Sequence, residues 1–450
     1  MNGYNLKLST ISIWLIFTIC LTIDFDLKNW EHEDRVIEHD VKSYYGYLPA
    51  YFIYNDIGVS KSSYTNSSNE GLFWTLPTTD GKNVFKMSMG LSILYSPFFG
   101  IAHLYARNSE YLPDGFSEPY KLFLIISTLF YLILGLEFSR KILYHFKFSE
   151  PVVAITILLV GLGTNLLCYS SQSAPMPHVY NFCLFSIFIY YTLKWNENPK
   201  LIRLIIPALT FGLITLVRPS NAVIILFFII YCWQTIKNLF TGKKIIMPIL
   251  IFGILSIIML LPQLFYWKSV TGKYVYYSYN DESFFFLQPK LIDGLFSFRK
   301  GWLVYTPIMI FSIAGLFLMK NESRQLRNSI IIFMLINLYV IFSWWCWWYG
   351  GTFGQRALIE SYSLLIIPFA FTVKYILERN YIFNIAFYAV CVFFIWLNIV
   401  QTYQFEYHYI HWDGMNKKLY LKQFGKNYQI KEFEELVSWP DYEKAKLGDR

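Results

Sequence analysis

Residues 88–106, SMGLSILYSPFFGIAHLYA, form the stretch on which the topology of this chain turns. The run is apolar over about the 17 to 25 residues that a membrane-crossing helix requires. Counted as a span, it reverses the side of every later loop. Read as a helix lying on the membrane surface, broken near Pro97, it leaves a single consistent topology.

That topology starts from a cytoplasmic amino terminus, and the first apolar run, Leu8 to Ile23, carries the chain out. The run reads as an uncleaved span; as a cleaved signal peptide it has only Lys7 close before it and no small-residue site after Leu21-Thr22-Ile23-Asp24. Further runs extend approximately over Tyr120–Leu143, Pro151–Tyr169, Met176–Leu193, Leu201–Val217, Asn221–Ile236, Ile245–Tyr266, Leu303–Met319, Asn328–Trp344, Ala357–Val373 and Tyr381–Val400. About eleven spans result. The connecting loops expected inside hold Arg140, Lys141 and Lys147; Lys194, Lys200 and Arg203; Lys237, Lys243 and Lys244; Lys320, Arg324 and Arg327; and Lys374 and Arg379. All five are positive, as cytoplasmic loops should be.

Composition agrees, with 55% hydrophobic and 15% charged residues gathered into long apolar runs. The expected fold is all-α, a polytopic membrane helical bundle. It divides into a membrane domain over residues 1–402, whose first outer loop covers about 24–119, and a short outer tail, 403–450. The net charge of +8 follows from topology, and no basic stripe with interleaved aromatics implies a nucleic-acid partner. Cys20, Cys168, Cys183, Cys232 and Cys391 fall in or beside apolar spans and Cys346 in an aromatic cluster, so buried thiols are expected. Zinc-ligand spacing and P-loop glycines are both lacking, which argues against soluble nucleotide hydrolysis. The Ile, Phe, Tyr, Lys and Asn bias suggests a bacterium with an AT-rich genome, hence an inner-membrane protein. It also makes the Asn66-Ser67-Ser68 tripeptide uninformative as a glycosylation signal.

The long first outer loop is the natural place for function. Asp40 opens an aromatic-rich helical pattern, Asp40-Val41-Lys42-Ser43-Tyr44-Tyr45-Gly46-Tyr47, and reads equally as a helix N-cap or a reactive carboxylate. Cations that violate the charge bias accompany it on the same side. They are Lys86; Arg218, at the turn Val217-Arg218-Pro219; Arg299 and Lys300; and Arg356, after the aromatic and glycine-rich run Trp344 to Gln355. A lipid-linked phosphate at the membrane boundary would offset them, while snorkelling or ordinary loop charges explain some of them equally. His178, starting a helix after a proline-punctuated loop, serves as a phosphate or acceptor ligand or merely as a packed cap. The loop 268–302 with Tyr274, Tyr276, Tyr277 and Tyr279 forms either a mobile cover or an ordered aromatic surface. Asp281 and Glu282 are weaker candidates for second acids.

In these residues the chain resembles the GT-C class of integral-membrane glycosyltransferases, the superfamily of protein O-mannosyltransferases and of the transferases that attach aminoarabinose to lipid A. The resemblance rests on Asp40 with Tyr44 four residues on, on Lys86 before the surface helix, and on Gly351-x-x-Gly354-x-Arg356; it extends as topology over about residues 10–400. It implies a polyprenyl-phosphate-linked sugar donor, a glycan, lipid or protein acceptor, an extracytoplasmic active site and Asp40 as base, with Tyr44, Lys86, His178, Arg218, Arg299, Lys300 and Arg356 binding substrate. Val41 stands where the family carries a second acid, which leaves a divalent cation as an open alternative to a metal-free site. A ligase or polymerase using a polyprenyl-diphosphate donor, and a transporter of lipid-linked saccharide, are the competing readings. Against the transporter, no internal repeat is visible.

Overall fold

The computed structural model describes residues 7–61, 71–78, 81–319 and 323–450; Asn66 and Lys320 lie outside these. The chain is a helical membrane protein. Its first half runs α1 (Leu8–Leu27), α2 (His39–Tyr45), α3 (Tyr47–Phe52), a two-stranded antiparallel hairpin of β1 (Thr75–Pro77) and β2 (Asn83–Phe85), then α4 (Gly90–Arg107), α5 (Glu118–His145), α6 (Glu150–Leu162), α7 (Leu166–Ser170), α8 (Pro177–Glu197) and α9 (Ile205–Val217). The second half runs α10 (Ile225–Tyr231), α11 (Trp233–Thr241), α12 (Ile246–Thr271), α13 (Leu291–Phe296), α14 (Trp302–Tyr305), α15 (Ile310–Leu318), α16 (Arg324–Ser343), α17 (Tyr362–Leu377), α18 (Tyr381–Glu406), α19 (Lys417–Gln423), α20 (Phe433–Leu436) and α21 (Tyr442–Lys446).

Among the described residues six helices are long and apolar enough to cross a bilayer: Leu8–Glu31, Glu118–His145, Ile246–Thr271, Arg324–Ser343, Arg356–Leu377 and Tyr381–Glu406. Of the remaining runs expected as spans, the one at Met176–Leu193 forms α8, long enough at 21 residues but not apolar enough to count, and the others are shorter or bent. Glu150–Leu162, Leu201–Val217 and Pro307–Leu318 are apolar but short, and Pro219–Tyr231 with Trp233–Thr241 bends by 65°. Buried position explains the difference in character: α17 is apolar all round and almost wholly enclosed, whereas α12 and α18 expose most of their apolar surface, such as Ile246, Ile249, Ile254, Tyr381, Ile382 and Val392. Apolar faces of that size need lipid, not water.

The stretch 88–106 is not among the six, but Pro97 does not break it, contrary to expectation: α4 continues through the proline for 18 residues. Proline removes the N–H that would bond the carbonyl four residues back. Here Ser96 Oγ donates to that carbonyl, Ile93 O, at 2.8 Å, so the freed acceptor stays satisfied. The fold also departs from purely α by the β1–β2 hairpin, held between α3 and α12: Phe85 packs 4.4 Å from the Tyr47 ring and its N–H donates to Tyr266 Oη at 2.9 Å.

Several loops read as cytoplasmic meet at one end of the bundle. His145 lies 3.3 Å from Glu197, Thr235 donates to Asn196, and Gln325 donates to the Tyr231 carbonyl. Residues from the loops assigned to the opposite side converge elsewhere, around one cavity.

Candidate functional site

The cavity encloses about 410 Å³, within the range usual for small-molecule sites. It is built from the start of α2, the end of β2, the first turn of α8, the turn after α9, the loop after α12, the aromatic turn before residue 356, and Tyr442 of the tail. Asp40, Tyr44, Lys86, His178, Arg218 and Arg356 all line it. Residues separated by more than 300 positions in sequence thus share one space.

Asp40 is not an N-cap. Glu38 occupies that position, and Asp40 sits within the first turn of α2, its side chain 24% exposed, with its Oδ2 accepting from Arg356 Nη2 at 3.2 Å. The same Nη2 donates to Tyr349 O at 3.0 Å. Tyr349 takes φ +60° and is followed by Gly350 at φ +65°, a backbone that turns its carbonyl toward the guanidinium. Positive φ in a bulky residue is uncommon and is retained where surrounding structure enforces it. The other glycines of this run serve packing: Gly351 lies against the Trp412 ring, and Gly354, at φ +55°, against Tyr305.

Arg218 is presented by the abrupt end of α9, where the chain turns extended before Pro219. The start of α4 holds that turn: Ser88 Oγ donates to Leu216 O, and a Cβ on Gly90 would fall 2.5 Å from Val217 N, so only glycine allows this approach. Arg218 Nη1 lies 3.3 Å from Glu360 Oε1, which also bonds His178 Nδ1 at 3.1 Å. The Arg218 guanidinium stacks over the Tyr349 ring at 5.6 Å. Glu360 is 1% exposed and lies behind the cavity wall, fixing two groups that do face it.

Lys86 follows β2 directly, so the hairpin sets its position. Its ammonium pairs with Glu282 at 2.5 Å and lies 5.4 Å from both the Trp74 and Tyr279 rings. The tyrosine loop is pinned here: Ser278 Oγ donates to Lys86 O, Tyr277 Oη to Glu282 O, and Tyr279 meets Trp344 edge-on at 5.7 Å. Tyr276, Tyr277 and Tyr279 line the cavity as an aromatic wall. Asp281 points away, to Lys446 at 3.1 Å.

The cations expected on the outer side are therefore not unbalanced. Arg356 has Asp40, Arg218 has Glu360 and Lys86 has Glu282. Each guanidinium nevertheless commits only one nitrogen to its carboxylate, and arginine has five donors in a fork suited to a second anion. Burial pushes the Tyr44 phenol well above its ordinary value, so it meets any ligand as a neutral hydroxyl donor. Among the described residues no three His, Cys, Asp or Glu side chains are grouped as a metal would need. Asp40 and Glu282, which line the cavity, are each already paired with a cation.

Arg299 and Lys300 do not join the site. Lys300 Nζ, 1% exposed, donates to Thr352 O and, at 2.7 Å, to Trp412 O, while Arg299 donates to Asp413 O and Ser438 O, each at 3.2 Å. Both hold the tail, Lys300 sharing the Trp412 carbonyl with the Thr352 N–H. The tail is consequently part of the wall: Tyr442 lines the cavity while its hydroxyl donates to Asp413 Oδ2 at 2.7 Å, and Arg450 donates to Ser343 O and Trp344 O.

Burial pushes the Lys300 ammonium down to about 7, with the Asp413 carboxylate opposing. The unfolded lysine holds its proton to about pH 10.4. Between these values the undocked chain binds more protons, so docking of the tail gains stability as pH rises. Hydrogen-exchange protection of residues 407–423, corrected for intrinsic rates, should increase from pH 7 to pH 9, and Lys300→Met should flatten that rise.

No family model matches the chain, and no curated protein matches it in sequence.

Glu360 is the residue most important to this geometry that sequence reading passed over. Its signal was present, a carboxylate inside the apolar run Ala357–Val373, where an ionisable group is normally paired and functional. Tyr349 and Tyr442 carried no comparable signal, because aromatic residues are abundant throughout the chain.

Proposed function

We propose that this protein is a GT-C-like glycosyltransferase that moves a sugar from a polyprenyl-phosphate donor to an acceptor hydroxyl at the extracytoplasmic membrane face. The observation that carries this reading is the Asp40–Arg356 pair at a cavity that also presents Lys86, Arg218 and Tyr44. A base and an anion-binding group are held side by side.

The chemistry follows from that arrangement. Asp40 accepts the acceptor hydroxyl proton as its oxygen bonds the anomeric carbon. The bond from that carbon to the phosphate oxygen breaks, and its electron pair leaves on the phosphate. The phosphodiester then becomes a monoester with one more negative charge, while Asp40 becomes neutral. Total charge in the cavity stays constant. It moves from one neighbour of Arg356 to another, with Lys86 and Arg218 placed to receive it; preorganised charges of this type contribute roughly 3 to 4 kcal/mol each to such barriers. Attack opposite the leaving phosphate inverts the anomeric centre. Trp344, Tyr279 and Tyr349 offer ring faces for the sugar.

Binding is tested apart from turnover by titrating purified protein with a short-chain polyprenyl phosphate bearing no sugar. Saturable binding that weakens at least about tenfold in Arg218→Met is expected, as loss of a charged hydrogen bond of roughly 1.5–3 kcal/mol requires. Equal affinity in both proteins would remove Arg218 from the phosphate site.

The diphosphate-dependent ligase shares these cations and is separated from this reading by donor chemistry. Against the transporter reading, the cavity's ionised groups Asp40, Lys86, Arg218, Glu282 and Arg356 come from loops and helix ends and not from the middle of spanning helices.

A further inference from the structure

The loop that supplies the cavity's tyrosines continues into a segment whose surface is unlike that of a water-facing loop. Residues 284–296, FFFLQPKLIDGLF, expose Phe284, Phe286, Leu287, Leu291, Ile292 and Phe296; Leu287 is 98% and Ile292 76% exposed. Single exposed apolar residues are ordinary, but six within 13 residues need an apolar environment.

Backbone hydrogen bonds fix this segment against the end of α16. Phe285 N donates to Ser343 O at 2.6 Å, Lys290 N to Phe342 O at 2.9 Å, and Trp345 N to Ser283 O at 3.0 Å. Arg450 adds a bond to Gln288 O. The short helix α13 approaches so closely that a Cβ on Gly294 would lie 2.2 Å from the Phe342 ring. Packing through Gly294 turns Leu291, Ile292 and Phe296 away from the protein. The outward surface is therefore built in, and not the result of a loosely held loop.

What covers it is indicated by α16. This helix is long and apolar enough to span, and it exposes Ile332, Leu335, Ile336 and Tyr339 at the three- and four-residue spacing of one face. The segment extends that face without a gap. Tyr339 stacks on Phe286 at 5.7 Å and its hydroxyl donates to Phe286 O at 2.8 Å; Phe286 in turn stacks on Phe284 at 5.3 Å. Phe284 also lines the cavity. One apolar strip thus runs from the lipid-facing side of a spanning helix to the cavity wall.

We infer that residues 284–296 are immersed in the interfacial layer of the bilayer beside α16, with Leu287 and Ile292 among the acyl chains and Lys290 toward the headgroups. Interfacial segments of this kind bury their apolar face roughly 5–10 Å into the headgroup and acyl boundary. This inference rests on the membrane fold alone and stands or falls independently of sugar transfer. It gives the cavity a wall in contact with lipid.

The test uses the protein reconstituted in phosphatidylcholine vesicles. All six cysteines are buried, so a thiol-reactive environment-sensitive fluorophore can be directed to Leu287→Cys or, separately, Ile292→Cys. Leu335→Cys serves as the lipid reference and the exposed Lys431→Cys as the water reference. The expected result at 287 and 292 is quenching by lipid with a nitroxide on the upper acyl chain and loss of the iodide quenching seen at 431. Iodide quenching equal to that at 431 would place the segment in water and overturn the inference. Protection from both quenchers would overturn it too, by showing that protein covers the strip.

Discussion

Asp40→Asn is expected to reduce the transfer rate by roughly 10²- to 10⁴-fold, the usual contribution of a positioned general base. The amide keeps the size of the side chain and an oxygen able to accept from Arg356, so the cavity should persist. Donor affinity should therefore change little, and the loss should fall in kcat. This separation distinguishes a base from a residue that merely shapes the site. A structural role would raise KM or lower thermal stability along with the rate. If Asp40→Asn retained native kcat, the proton would have to go elsewhere, and among the described residues lining the cavity Glu282 is the other carboxylate.

The second large effect concerns stability. Glu360→Gln leaves Arg218 and His178 in place without the buried carboxylate that both contact at 3.3 and 3.1 Å. Removing one partner of a buried ion pair costs about 3–5 kcal/mol because the remaining charge stays desolvated and uncompensated. Chemical unfolding in detergent micelles should register that loss. Glu378→Gln, at an exposed pair with Lys374, should scarcely move the transition. Arg218 would also lose its fixed orientation, so phosphate affinity should fall together with stability. A Glu360→Gln protein as stable as the native one would show that Arg218 reaches solvent or another carboxylate in the membrane.

The parts of this site legible in sequence were those that broke a rule. Lys86, Arg218 and Arg356 stood on the side of the membrane where cations are disfavoured, and Asp40 opened a helix among aromatics; all four line the cavity. Arg299 and Lys300 broke the same rule and lie elsewhere. Charge bias reports the side of a loop but not the partner of a side chain, and their partners are main-chain carbonyls at Thr352 and in the tail. Glu360 was hidden by the hydropathy of its surroundings. The number of spans was similarly beyond a hydropathy reading, because a run such as Leu201–Val217 looks alike whether its helix crosses fully or stops short. Pro97 was misread through its own rule, since a neighbouring serine satisfied the carbonyl that the proline had freed.

Sugar transfer from a lipid phosphate is the activity proposed for the cavity. Its most direct test supplies purified protein in vesicles with a mixed pool of labelled polyprenyl-phosphate sugars and candidate acceptors, and follows both product and anomeric configuration. Glycosylated product of inverted configuration, release of polyprenyl phosphate in equal amount, and product formation slowed at least about 100-fold by Asp40→Asn are expected. Retained configuration, or passage of the intact lipid-linked saccharide across the bilayer without cleavage, would contradict it.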